Sequence, residues 1–437
     1  MLGGFVSALR APDLRRKLLY TLGIIALYRL GVAVPTPGVD YQAVDICLNL
    51  GQTSSIANLV NVFAGGGLLT LSVFALGIMP YITASIIVQL LRVLIPRFQE
   101  LHSQGSEGQA TLTQYTRYIT LGFAALQAAS YITLARTGGG VALYGVECPV
   151  PVIDNTAWYA LAMMVMTMTA GTALLMWLGE RITERGVGNG MSLLIFASIA
   201  ASFPASVNSV LNSGSDWVQN MVIVGVIALV IVVVVVFVEQ SQRRIPVQYA
   251  KRMVGRKMLG GSSTYIPIKI NMAGIIPVIF ASSLLTLPQL IVQFSGDDPA
   301  PWVIWVSQNI TDPGSPGNIA FYSLLIIFFA YFYTAITFNP DEVADNMKKY
   351  GGFIPGIRPG KPTADFLDYV LTRITSVGSL YLAIIALVPQ VVFVALGLNA
   401  NIPFGGASIL IIVGVGLDTV KRIQSQLEQR HYEGFLK

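Results

Sequence analysis

Side chains capable of covalent chemistry are few in this chain and poorly spaced for it. His102 and His431 are its only histidines, and each stands alone in a loop or tail. Cys47 and Cys148 form no C-x-x-C pair, so neither a metal site nor a disulfide framework follows. Two free thiols are expected, with a bridge chemically open because both fall in loops placed outside. Gly360-Lys361 runs straight into Pro362 without the glycine spacing of a phosphate-binding loop, and no H-E-x-x-H or G-x-S-x-G occurs. Glu180 and Asp418 sit at the ends of apolar segments, which leaves Arg29 as the charge well inside one. We expect Arg29 to snorkel or to find a hydrogen-bonding partner, not to gate anything. No cofactor, no metal and no enzyme activity is indicated.

The chemistry that remains is non-covalent and of two kinds. The first is apolar. Gly77-Ile78-Met79-Pro80-Tyr81-Ile82-Thr83-Ala84-Ser85 recurs as Gly274-Ile275-Ile276-Pro277-Val278-Ile279-Phe280-Ala281-Ser282. In each copy the proline would free the carbonyl four residues back, that of Leu76 or Ala273, so each predicts a bendable helix. Ile78, Ile82 and Ile279, with Ile195 and Ile411 at similar depth, are the residue type that closes a narrow path by excluding water and still parts around a bulky object. Each alone also fits ordinary core or lipid-facing packing. The second kind is basic. Lys251, Arg252, Arg256 and Lys257 lie between two short apolar runs, 245–250 and 265–270, which read as a hairpin whose Pro246 and Pro267 suit edge strands. Arg358 stands between two Pro-Gly turns. Anchoring and lipid phosphate explain the sign of these charges, whereas loop length and Gly/Pro content favour docking of an acidic macromolecule.

The elements that hold these residues follow from composition. The chain of 437 residues is 54% hydrophobic and only 11% charged, which excludes an ordinary soluble protein. Apolar runs of membrane-crossing length recur throughout, near 18–34, 71–91, 114–134, 157–178, 190–206, 218–238, 272–292, 319–338, 374–397 and 404–418. The first lacks the short apolar core and small-residue site of a cleavable signal. Of the 27 basic residues, 25 fall on alternate connections, which sets both termini in the cytoplasm. The two motif copies then run in opposite directions at the second position of each half, as in an inverted repeat with its path between the halves. We therefore expect an all-α polytopic membrane protein of ten helices in two inverted pseudosymmetric halves, 1–210 and 211–437, with cytoplasmic loops at 239–271 and 339–370. The long first outer loop holds a short apolar stretch, 55–64, followed by Gly65-Gly66-Gly67. A half-helix on a glycine hinge and a surface amphipathic turn both fit it.

Five stretches together resemble the SecY family, the bacterial branch of the SecY/Sec61-alpha channels of the Sec protein-translocation complex. They are F-A-L-G-I-M-P-Y-I (74–82), G-E-R-I-T-E-R-G-V-G-N-G (179–190), Q-R-R-I-P-V-Q-Y-A-K-R (242–252), N-M-A-G-I-I-P (271–277) and G-G-F-I-P-G-I-R-P-G (351–360). The resemblance implies a pore waist of Ile78, Ile82, Ile195, Ile279, Leu284 and Ile411, and a plug about 56–67 that includes Asn58, Leu59, Asn61, Phe63 and Gly65. It implies a lateral gate with Ser85, Gln89 and Asn271 for signal peptides and membrane helices leaving toward lipid. It further implies docking of SecA or of the ribosome, through ribosomal RNA, at the hairpin tip and Arg358. SecE and SecG would be companion subunits in the bacterial plasma membrane. One departure is the run Gly105-Ser106-Glu107-Gly108-Gln109-Ala110-Thr111-Leu112, where the family pattern has a basic pair, which puts partner contacts of that loop in doubt. A secondary transporter of a small solute also uses inverted repeats, and would need an ionisable residue at depth.

Overall fold

The computed structural model describes residues 11–50, 61–136, 144, 148–153, 155–211, 217–249, 252–254, 257–259, 263–294, 300–312, 314–395 and 406–435. The N-terminal part runs α1 (Pro12–Ala33), α2 (Tyr41–Leu50), α3 (Met79–Leu94), α4 (Pro96–Ser103), α5 (Ser106–Arg136), α6 (Trp158–Arg185) and α7 (Gly190–Leu211). The C-terminal part runs α8 (Trp217–Gln240), β1 (Gln242–Tyr249), β2 (Arg252–Val254), β3 (Lys257–Leu259), β4 (Ser263–Lys269), α9 (Ile276–Phe294) and α10 (Pro301–Val306). It continues through α11 (Pro316–Thr337), α12 (Pro340–Lys349), β5 (Gly352–Phe353), α13 (Lys361–Ala395) and α14 (Gly406–Phe435). Every apolar run read from the sequence falls on a helix. Among the described residues, five helices are long and apolar enough to cross a bilayer, or six if α3 and α4, bent by 105° at their junction, form one span.

Prolines set many of the helix starts, because a first-turn residue has no intrahelical acceptor to lose. α1, α4, α10, α11 and α12 each begin on one. The same physics corrects the bent-helix expectation for the repeated motif. Pro80 and Pro277 are second residues of α3 and α9, not points of flexure within them. Gly77 (φ 56°) and Gly274 (φ 61°) turn the chain into the helix in the left-handed region, where a Cβ is strained. The first motif-bearing helix therefore starts at residue 79 instead of 71, and residues 64–78 are turns apart from Ser72, which forms a β-bridge.

The helices associate so that the halves meet along two seams. α3 and α5 pack on α9 along one, and α7 packs on α14 along the other. The motif-bearing helices α3 and α9 are thus in direct contact. On the N-terminal side α5 packs on α3 and α6, and Arg117 reaches Glu180 across α5 and α6 with Nη2···Oε2 at 2.6 Å. Such a surface pair contributes only about 0–1 kcal/mol. The atypical run 105–112 is not a loop: from Ser106 it is the first turns of α5. A Cβ on Gly108 would lie 1.7 Å from the Leu101 carbonyl, so the missing side chain lets α4 fold back on α5.

The hairpin forms as read, with β1 and β4 antiparallel in the register Gln242↔Lys269 to Gln248↔Ser263. Pro267 sits on the edge strand β4, but Pro246 lies on β1, the middle strand of β4-β1-β5. It is tolerated because β5 pairs only with Gln248 and Tyr249, beyond the proline. Beneath this sheet Ile245, Val247 and Ile268 join Met347 of α12, Ile354, and Leu367, Val370 and Leu371 of α13 in one buried cluster. The cysteines correct a second expectation. Cys47 of α2 and Cys148 are joined in a disulfide with Cα atoms 5.5 Å apart. Isolated β-bridges, Pro35↔Ser72 and Val39↔Ile153, hold the same surroundings together.

Candidate functional site

Where the two seams converge, α3, α7, α9 and α14 contribute one apolar cluster. Ile78, Ile82, Ile195, Ile279 and Ile411 all belong to it and are all buried, and Leu284 packs against it half-buried. Burying a side chain of this size contributes roughly 1.5–3 kcal/mol, so parting the cluster is opposed by several such terms at once. The repeat extends to individual hydrogen bonds: Ile82 N donates to the Ile78 carbonyl (3.1 Å), and Ile279 N donates to that of Ile275 (3.3 Å). Ile275 in turn rests where a Cβ on Gly414 would come within 2.5 Å of its Cγ2, which seats the second motif on α14.

The segment before Gly77 closes over this cluster. Asn58 and Leu59 lie outside the described residues. Asn61 and Phe63 are at the end of a helical turn, and Val62 and Phe63 are buried in the same cluster as the isoleucines. The Asn61 carbonyl accepts from Gly66 N (2.9 Å), and Asn61 Oδ1 accepts from Leu69 N (3.2 Å), so the asparagine fixes the glycine turn on which the segment hangs. Gly65 (φ 67°) and Gly66 (φ 95°) make that turn. Leu71, buried and at φ 45°, is held in this strained conformation by Thr36, whose N (3.0 Å) and Oγ1 (2.6 Å) both donate to its carbonyl. The Tyr144 hydroxyl donates to the Leu69 carbonyl (3.0 Å), and burial raises its pKa, which keeps it a neutral donor.

Of the neighbours of this segment, Tyr28 and Ser198 had no role in the sequence reading. Arg29 has the hydrogen-bonding partner expected of it, the Gly65 carbonyl at 2.8 Å. Tyr28, fully buried on the adjacent turn, approaches the Ala64 carbonyl (3.4 Å) and Ser198 Oγ (2.5 Å). A tyrosine and a serine 170 residues apart carry no sequence signal of contact; only the packing of α1 on α7 reveals it.

The polar residues expected at the gate stay on their own halves. Gln89 Nε2 donates to Ser85 Oγ (3.3 Å) along α3, and Asn271 Nδ2 donates to Glu239 Oε1 (2.6 Å) and to the Gly274 carbonyl (3.0 Å). Of the basic tip, Lys251 and Arg256 lie outside the described residues, whereas the backbones of Arg252 and Lys257 pair through Arg252↔Leu259 and Val254↔Lys257. Arg358 is exposed between turns at Gly356 (φ 85°) and Gly360 (φ 104°), with its carbonyl held by Thr363 Oγ1 at 2.8 Å. The β1–β5 pairing brings the hairpin and the Arg358 turn into one unit, although they are far apart in sequence.

The SecY family profile matches residues 72–420. The protein translocase subunit SecY of Streptomyces scabiei is 58% identical over 443 residues, covering all of both chains. The chain belongs to the SecY family. The SecY of Mycobacterium tuberculosis H37Rv is 56% identical over 448 residues, again covering all of both. Among solved structures, a protein conducting channel superposes with a TM-score of 0.64 at 18% identity, covering 94% of this chain and 91% of the other. A SecY whose plug domain is described as stabilising the closed state gives 0.61 at 18% identity with the same coverage. As a SecY-family member the chain is a multi-pass membrane channel subunit of the protein translocase and not an enzyme. These relatives lend no support to a small-solute transporter.

Proposed function

We propose that this chain forms the pore itself, with halves 1–210 and 211–437 parting along the α3–α9 seam to pass secretory proteins outward and membrane helices sideways. Ile78, Ile82, Ile195, Ile279, Leu284 and Ile411 are its waist, and the segment of Asn58, Leu59, Asn61, Phe63 and Gly65 its plug. Ser85, Gln89 and Asn271 line the gate near its polar ends. The observation that carries this reading is the single buried cluster joining isoleucines of both inverted motifs to Phe63 of the plug segment. Each half supplies one wall, and the contact between them is apolar, so it seals by excluding water.

All ten helix-borne apolar runs span the bacterial plasma membrane in this reading, with both termini in the cytoplasm. The sheet of β4, β1 and β5 then projects into the cytoplasm with Lys251, Arg252, Arg256, Lys257 and Arg358. This basic surface suits the SecA motor or the ribosome; canine Sec61, solved in a ribosome-channel complex, has the same fold at a TM-score of 0.61 and 17% identity. SecE and SecG complete the assembly. The exposed apolar faces of α1 and α8, with Leu19, Leu22, Val226 and Phe237, suit lipid or a companion helix. Serine at both Ile82 and Ile279 is expected to raise the resting ion conductance of reconstituted channels. Unchanged conductance would remove these residues from the waist.

A further inference from the structure

We propose that Tyr28 and Arg29 of α1, with Ser198 of α7, form a latch that holds the plug shut by the carbonyls of Ala64 and Gly65. The inference rests on the plug reading above and adds residues to it. Arg29 Nη1 donates to the Gly65 carbonyl at 2.8 Å, and among the described residues no carboxylate pairs with this guanidinium. Its place part-way along an apolar helix makes any ionised group expensive without a partner. The carbonyl is that partner, and it is present only while the plug is seated.

Tyr28 supplies the second hold. Ser198 Oγ donates to the Leu194 carbonyl (2.9 Å), so the single Tyr28 proton is divided between Ser198 Oγ and the Ala64 carbonyl. The Tyr28 ring is fixed against Phe74 at 6.1 Å between centroids, and Phe74 itself occupies the space a Cβ on Gly31 would need. Ser198 follows Ile195 by three residues on α7, so it shares a face with a waist residue. A displacement of α7 thus moves the waist and the latch together.

The fit leaves no slack at Gly65. A Cβ there would lie 2.8 Å from the Tyr28 hydroxyl and 3.1 Å from Arg29 Nη1, at a backbone φ of 67°. The latch therefore fails if either side changes.

The test is the resting opening frequency of the full chain in planar bilayers. Arg29→Met is expected to raise it by about ten- to a hundredfold, the range for losing a hydrogen bond to a charged group. Arg29→Lys should recover part of the loss, and Gly65→Ala should match Arg29→Met. Deleting residues 56–65 should leak by itself, and Arg29→Met should then add nothing. A leaking deletion beside a silent Arg29→Met overturns the latch and leaves the plug standing; a silent deletion overturns both. Extra leak from Arg29→Met on the deletion background also overturns the latch, because the arginine would then act elsewhere. If Arg29→Met does not accumulate, Tyr28→Phe and Ser198→Ala read the second hold, and wild-type frequencies in both overturn it.

Discussion

The two copies of the repeated motif provide a matched pair of perturbations. Gly77 and Gly274 occupy equivalent turns, at φ 56° and 61°, so alanine at either carries the same left-handed backbone penalty, about 1–2 kcal/mol. Their surroundings differ. A Cβ on Gly274 would meet nothing within 4 Å, whereas one on Gly77 would stand 3.0 Å from Ala64 Cα and 3.2 Å from the Phe63 carbonyl. Both contacts are plug-segment backbone, which yields less readily than a side chain, and overpacking of this kind costs about 1–3 kcal/mol. If that strain is relieved by unseating the plug, Gly77→Ala raises the unseated population by about 5- to 150-fold. Gly274→Ala leaves it unchanged. Resting conductance in planar bilayers reports the plug, and thermal unfolding in detergent reports the shared backbone penalty. Equal conductance in the two variants would refute the assignment of Ala64 and Phe63 to a moving seal. A larger leak from Gly274→Ala would refute it more severely, since that site touches no part of the segment.

Two further outcomes are expected. The disulfide closes a loop of 101 residues, so Cys47→Ser should lower stability by about 2–5 kcal/mol, measured by thermal unfolding in detergent. Alkylation followed by mass spectrometry should find both thiols blocked until reductant is added; labelling of both without reductant would contradict the bridge. Arg358→Glu should impair motor- or ribosome-driven translocation into vesicles several-fold while thermal unfolding is unchanged, because the side chain is exposed. Wild-type translocation would remove Arg358 from the docking surface.

Much of this architecture is legible in the sequence because a bilayer leaves few choices. Backbone groups in hydrocarbon must be satisfied within helices, and each apolar run lies wholly or in large part on a helix. Ile78, Ile82 and Ile279 were traceable because the motif repeats, and the isoleucines of both copies share one buried cluster. What sequence could not supply is whatever depends on contacts between distant segments. Pro80 reads as a kink or as a helix start from the same letters; only the turn at Gly77, wedged against Ala64, decides for the start. Cys47 and Cys148 are ordinary thiols until α2 and the connection after α5 are placed side by side. Tyr28 and Ser198 are unremarkable apolar-segment residues until α1 crosses α7. The union of hairpin and Arg358 turn depends on two strand pairings, Gln248↔Phe353 and Tyr249↔Gly352, which no local pattern announces.

The Cys47–Cys148 bridge has a consequence for how the chain is made. Between the two cysteines lie α3 and α5, the two helices proposed to cross the membrane there, an even number, so in this reading the thiols meet only if both crossings have been completed in opposite senses. A chain in which either helix failed to insert would leave its cysteines on opposite faces of the bilayer, unable to react. The bond is thus a covalent record of correct threading. It can be written only on an oxidising side of the membrane, so the segment proposed as the plug would have been delivered to that side first.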